Sequence, residues 1–239
     1  EPSEFARELK VVRRELADGE VDRARVLYKL LGLTVYTEHP VRHPVIGYLD
    51  VLNATTNQTI IDFYRQRYVP NNQVFVVVGD VDTRHVLDHV ARQWAGTGRG
   101  YETAVSFPEE PRQLAPREAV REMEGRTCDF ALAWPTVELS HPDLFPLDLA
   151  EYILAEGESS RLVEQVKYQR QLALSVRASS YTPSYVRGWF GVFATARPQQ
   201  WKEAEAEILR QVYRLRDDLV DPAELAKAKK QKAAELVFQ

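Results

Sequence analysis
The succession of periodicities constrains this 239-residue chain more than any single motif does. Stretches that alternate like strands come as neighbouring pairs, and stretches with helical spacing come as neighbouring pairs too. A parallel βαβ sheet would interleave them one by one, so this order predicts a layered α+β fold instead. In the second half, Arg117–Met123 and Cys128–Trp134 read as paired strands around Glu124-Gly125-Arg126. Leu172–Tyr181 and Arg187–Thr195 read as a second pair, turned at Pro183-Ser184. Between the pairs lie helical stretches at Pro142–Leu154 and Ser160–Gln171, and two more follow, at Pro198–Leu215 and from Asp221-Pro222 onward.

The first half opens on a helix whose apolar stripe is Phe5, Leu9, Val12 and Leu16. A second runs from Val21 to Leu31, and Thr55 or Thr56 caps a third that reaches Tyr68. Gln73–Val78, apolar and β-branched and closed by Gly79-Asp80, predicts a buried strand. Thr83–Trp94 follows as an amphipathic helix. Residues Tyr101–Pro116 carry Pro108, Pro111 and Pro116 among polar neighbours, which makes them the linker of choice. The chain enters its first helix directly from Glu1-Pro2-Ser3-Glu4, and no helix stop follows Phe238. Leu225, Ala228, Ala233, Leu236 and Val237 carry the apolar side of that last helix, so both ends read as cut within a longer polypeptide.

Composition removes several function classes. With 44% hydrophobic residues the chain can fill two cores. Its net charge of −4 offers no basic footprint for nucleic acid or for a membrane surface. No apolar run approaches the ~18–20 residues of a membrane span. Cys128 is the single cysteine, which excludes an internal disulfide and a cysteine-based zinc site. The expectation is a soluble protein, cytoplasmic or periplasmic.

Histidines and carboxylates are then the candidates for chemistry. His85 and His89 lie four apart on one helical face, a metal-ligand spacing without the neighbouring Glu of a metalloprotease helix, so an exposed face is the better reading. His39 and His43 share the spacing, but each precedes a proline and lies on a loop, and His141-Pro142 marks a helix start. Glu8 and Glu15 are seven residues apart, close to two turns, and therefore project from one side of the first helix. That side borders the apolar stripe, where a carboxylate needs a partner or a metal. Arg7, Lys10, Arg13 and Arg14 supply ordinary partners, and spacing alone leaves both readings open.

The stretch Phe5-Ala-Arg-Glu-Leu-Lys-Val-Val-Arg-Arg-Glu15 resembles the second conserved helix of the insulinase/pitrilysin-type zinc metallopeptidases. His39-Pro-Val-Arg-His-Pro-Val-Ile-Gly47, Phe63-Tyr64 with Tyr68-Val-Pro-Asn-Asn72, and Val76-Val-Val-Gly-Asp-Val-Asp82 continue the resemblance in order. Glu158-Ser-Ser-Arg-Leu162, Gln171-Leu-Ala-Leu-Ser-Val176 and Lys229–Phe238 resemble the family's second homologous domain. The resemblance implies two homologous two-layer domains, each an antiparallel-rich sheet with helices on one face, and each incomplete here. Their extents would be residues 1–107 and 117–239, joined by 108–116.

In that family zinc sits on an H-x-x-E-H helix, two His binding the metal and the Glu serving as general base. By resemblance Glu15 matches the third protein ligand and Glu8 the supporting acid one helical repeat earlier. No H-x-x-E-H occurs in these residues, so the expected general base lies upstream of Glu1, and the family's substrate-anchoring Arg and Tyr lie beyond Gln239. The implied function is a portion of a zinc-dependent endopeptidase, with zinc in the complete protein and absent from this portion alone. The implied partners are a peptide substrate and a homodimeric or heterodimeric family paralogue. The alternative is a non-catalytic partner or scaffold subunit of the same family.

Overall fold
Three strands form the sheet of this chain: β1 (Cys128–Pro135), β2 (Ala173–Tyr181) and β3 (Trp189–Ala196). They lie in the order β1-β3-β2 and every pairing is antiparallel, with Val192 opposite Leu132 on one side and Ala178 on the other. The computed structural model describes residues 2–101 and 105–238, and the side chains of residues 3–101 and 105–235. The expected apolar side chains of Leu236 and Val237 thus lie outside the described residues. Helices surround the sheet, so the fold is α+β. By compactness residues 1–16 group with 46–107, and residues 17–45 group with 108–239.

The strand period of two divides the larger unit's core. Phe190, Val192, Ala194 and Ala196 of β3 point to one face, with Val176 and Ala178 of β2. There they meet Leu154 of α6 (Leu144–Ala155), Leu162, Val163 and Val166 of the next helical segment, and Ala204 and Ile208 of α7 (Trp201–Asp217). Ile208 and Leu162 are fully buried, each worth ~1.5–3 kcal/mol of apolar burial. Trp189 and Phe193 point the other way, onto Leu27, Leu31 and Val35 of α2 (Arg23–Val35). The sheet therefore carries a helix on its second face as well. The last helix, α8 (Pro222–Phe238), is tied in where the Arg161 guanidinium bridges both Glu224 oxygens at 2.8 and 2.6 Å.

The helix expected over 160–171 widens into a π-helical turn at Val163–Gln169, with Arg170 N–H reaching the Gln165 carbonyl at 3.2 Å. Gln171 closes it in the left-handed region, φ +52°, and Leu172 N–H donates to Val166 O at 2.8 Å. The helix expected from Pro198 begins at Trp201, because Pro198–Gln200 form a turn held by Gln200 N–H to Arg197 O, 2.9 Å.

Arg117–Met123 joins no ladder, contrary to the paired strands expected there. β1 takes β3 as its partner instead. Charged side chains hold the segment: Arg117 donates to the Thr34 and Val35 carbonyls at 3.2 and 3.1 Å, and Arg121 pairs with Glu20 at 2.7 Å. The proline-rich segment before it is anchored as well. The Glu110 carboxylate accepts the Thr37, Glu38 and His39 backbone N–H groups and the Thr37 hydroxyl, at 2.7–2.9 Å.

In the smaller unit, α1 (Pro2–Val21) contributes up to Leu16, followed by α3 (Leu49–Ala54), α4 (Asn57–Arg67) and α5 (Thr83–Trp94). Thr56 caps α4 through a reciprocal bond pattern with Thr59, and Asp82 caps α5 through His85 N–H at 2.6 Å. The six-residue α3 was not expected, being too short to show a period. Gln73–Val78 overturns the expectation of a buried strand. No strand among the described residues pairs with it, and Val74, Val76 and Val78 are 89%, 80% and 92% exposed. Only Phe75 finds a ring neighbour, Trp94, edge-on at 5.7 Å. A β-branched run becomes a buried strand when neighbours supply a ladder and cover both faces; the pattern alone supplies neither.

Candidate functional site
Glu8 and Glu15 both fall within α1, whose stripe of Phe5, Leu9, Val12 and Leu16 is half-buried as the spacing predicts. Both carboxylates lie on the exposed part of the helix. Glu8 pairs with Arg7 at 3.0 Å, the ordinary pairing that spacing left open. Glu15 makes no ion pair or hydrogen bond among the described residues, so its oxygens face solvent. No group of three or more His, Cys, Asp or Glu side chains that could hold a metal occurs among the described residues. Glu15 with Glu8 therefore does not by itself fit the coordination of a catalytic zinc, which takes three protein ligands and a water.

The histidines separate by environment. His85 and His89 share α5 and are both exposed, as an open helix face. His39 is buried, stacks on Tyr185 at 6.1 Å and accepts Val41 N–H at Nδ1, 3.2 Å, capping the turn Pro40–Arg42. His141 accepts Asp143 N–H at 3.1 Å, at the start of α6. A loop position was expected for His39; its burial follows from the docking of Tyr185, which no local pattern signals.

The larger unit holds a groove of about 560 Å³ between the α1–α2 junction and the α2 face of the sheet. Asp18, Val21, Arg23 and Leu27 form one wall, and Ser175, Arg177, Phe193 and Thr195 the floor. Tyr28 and Phe193 stack at 5.3 Å, and the Arg177 guanidinium lies 4.0 Å from the Phe193 ring centre and 5.8 Å from that of Tyr28. Arg23 bridges to Asp129 at 2.5 Å, and Thr195 donates to the same carboxylate at 2.7 Å. Beside the groove Glu20 accepts from Lys29 and Arg121 at 2.5 and 2.7 Å, which holds its carboxyl below the usual range. Arg177 went unrecognised in the sequence because its aromatic partners come from β3 and α2, far off in the chain.

The peptidase M16 inactive domain matches residues 54–232. An uncharacterized zinc protease of Streptomyces coelicolor is 32% identical over 79% of the chain and 42% of its own length. The zinc protease PqqE of Helicobacter pylori is 28% identical over 98% of the chain and 54% of its own length. The chain thus spans about half the length of the curated relatives it matches. Among solved structures, a protease from Helicobacter pylori superposes on 100% of the chain and 59% of that protein, with a TM-score of 0.89 at 26% identity. A peptidase M16 inactive domain from Pseudomonas fluorescens shares the fold with a TM-score of 0.82 at 20% identity, over 100% of this chain and 59% of its own.

Proposed function
The chain belongs to the peptidase M16 family, through its inactive domain, and from that premise we propose that it is the non-hydrolytic portion of a zinc-dependent endopeptidase. The observation that carries this reading is the pairing of zinc-protease relatives with a solvent-facing Glu15 that has no fellow ligands among the described residues. Glu15 contributes one ligand to a metal site whose other residues lie outside this chain, Glu8 supports it from one helical repeat away, and the sheet unit helps to enclose an extended peptide. A non-catalytic partner or scaffold subunit is the second reading, favoured by the inactive-domain match across residues 54–232.

The test uses the longer protein containing this chain, with zinc content and hydrolysis of a quenched fluorogenic peptide measured together. Glu15→Gln should remove zinc and activity, because a neutral amide is a much weaker zinc ligand than an anionic carboxylate. Glu8→Gln should retain zinc and lose ~10–100-fold in turnover, the usual cost of removing a residue that orients a ligand. Equal zinc loss from both variants overturns the assignment of their roles. A wild-type protein that neither holds zinc nor cleaves the peptide decides for the scaffold subunit.

A further inference from the structure
Four donors from one short loop fill the Glu110 carboxylate. Its Oε1 accepts the Thr37 N–H at 2.7 Å and the Thr37 hydroxyl at 2.8 Å, and its Oε2 accepts the Glu38 and His39 N–H groups, both at 2.9 Å. Successive backbone donors aimed at one carboxylate favour its ionised form. Burial pushes the Glu110 carboxyl up, but the His39, Glu38 and Thr37 N–H groups and the Thr37 hydroxyl outweigh burial and hold it below the usual range. The loop has bonds of its own besides: His39 Nδ1 accepts the Val41 N–H at 3.2 Å, and the Arg42 guanidinium donates to the Thr37 carbonyl.

Both partners belong to the larger unit, and each lies beside a passage of the chain between units. Thr37–His39 precedes the passage at Val45–Ile46, and Glu110 follows the one at Phe107–Pro108. The passage at Leu16–Ala17 runs inside α1 and is continuous helix. Beyond Glu110 the strap is fastened again by Arg117, which donates to the Thr34 and Val35 carbonyls at 3.2 and 3.1 Å. Between these fastenings residues 111–116 border a cavity of about 430 Å³, and Leu114 is 91% exposed, so apolar packing holds little of the strap. The Gln113 side chain bonds only within the strap, to the Ala115 carbonyl at 3.0 Å.

We propose that Thr37–His39 is a carboxylate-binding loop whose ligand is supplied in cis by Glu110, and that this contact is a clasp whose breaking frees the strap while the sheet stays folded. Donors and acceptor are all residues of this chain and already paired, so the clasp does not rest on a surface that further residues could cover. It does not depend on the proposed peptidase function either. A free carboxylate competes poorly with Glu110, because the tether keeps the latter at high effective concentration. With that side chain removed, the loop is open to an added carboxylate, whereas the strap has lost its fastening. An amide cannot stand in for the carboxylate: its one oxygen serves the donors on one side, and its NH₂ faces the donors on the other.

The experiment is hydrogen exchange by mass spectrometry on the 239-residue chain, together with trypsin cleavage at Arg112–Gln113. In Glu110→Ala the fragment holding Thr37–His39 should exchange about tenfold faster, the scale of one lost hydrogen bond to a charged group, and cleavage at Arg112 should quicken too. Protection of β1, β2 and β3 should stay as in the wild type. Excess acetate, compared with chloride at equal ionic strength, should restore the protection of the loop in Glu110→Ala and leave cleavage fast. Glu110→Gln should lose the same protection, and acetate should not restore it, because the amide occupies the loop. Thr37→Val, which removes only the hydroxyl, should lose less. Unchanged exchange in Glu110→Ala overturns the proposal, as does full protection in Glu110→Gln or acetate that restores nothing. So does a loss of protection spread over β1, β2 and β3, which would make Glu110 a support of the whole sheet unit rather than a clasp.

Discussion

Glu151 on α6 accepts a backbone N–H from the sheet edge in half-buried surroundings, and burial there pushes its carboxyl up from the usual range. Asp148 and Glu156 add to the rise, while the Ser180 N–H and Lys232 oppose it. A raised pKa means that this group's contribution to stability is complete below its unfolded pKa and is lost as pH rises through the folded value. Glu151→Gln keeps an oxygen for Ser180 and removes the charge. We expect it to raise Tm at neutral pH, with no gain below the unfolded pKa. Thermal melts of both proteins at acidic and neutral pH check this; an equal gain at both would refute the charge argument. Glu207 on α7 is more buried yet behaves oppositely: burial pushes its carboxyl up, but Arg210, Gln211 and Arg170 outweigh that and hold it low. Nothing in the sequence separates these two glutamates, since the partners that fix each sign come from other elements. Glu8 and Glu15 were legible because their relation is internal to one helix.

At Gln171 the backbone leaves a π-helical turn with φ +52°, a conformation that a residue with a Cβ adopts at a cost and glycine adopts freely. Its side chain is exposed, and the hydrogen bond at this position uses the carbonyl, accepting from Gln200 at 3.5 Å. Gln171→Gly should therefore raise stability by up to about 1 kcal/mol, the left-handed strain relieved less the added flexibility of glycine in the unfolded chain. A lower denaturant midpoint would show that the flexibility term wins. The same turn shows which elements the sequence could and could not announce. Helices with a local signature appeared where expected: α4 behind the Thr56 cap and α5 from its amphipathic pattern. β1 and β3 were legible as largely apolar runs of eight residues, and β2 by the alternation of buried Val176 and Ala178 with exposed Arg177. The π turn was invisible, since widening changes hydrogen bonding rather than the apolar pattern. Arg117–Met123 misled because the turn-like Glu124-Gly125-Arg126 beside it suggested a strand pair, whereas its arginines hold it as an irregular segment.

Across the whole molecule, apolar surface is unevenly distributed. The sheet unit fills both faces of its sheet, while the run from Val74 to Val78 stands exposed in extended form with no strand beside it among the described residues. Ile60, Phe63, Tyr64 and Tyr68 in the same unit are exposed too, with Tyr64 and Tyr68 stacked on each other at 4.8 Å. An extended, uncharged, β-branched segment of this length is a template for pairing, because its backbone groups and side chains gain partners together when a second chain docks. We therefore expect the 239-residue chain to self-associate as its concentration rises. The driving force is local, so one charge in the middle of the run should oppose it. Val76→Lys makes each docked copy bring like charges together and desolvate an ammonium, which is costly. Val76 is 80% exposed, so the substitution removes little packing from the single chain and should leave its melting unchanged. Static light scattering across a concentration series should show the wild type growing in mass and the Val76→Lys variant remaining near monomer. A wild type that stays monomeric would show that the exposed run is covered within the chain in solution. Growth undiminished by the lysine would place the contact elsewhere, with the α4 aromatics Phe63 and Tyr64 next to be tested.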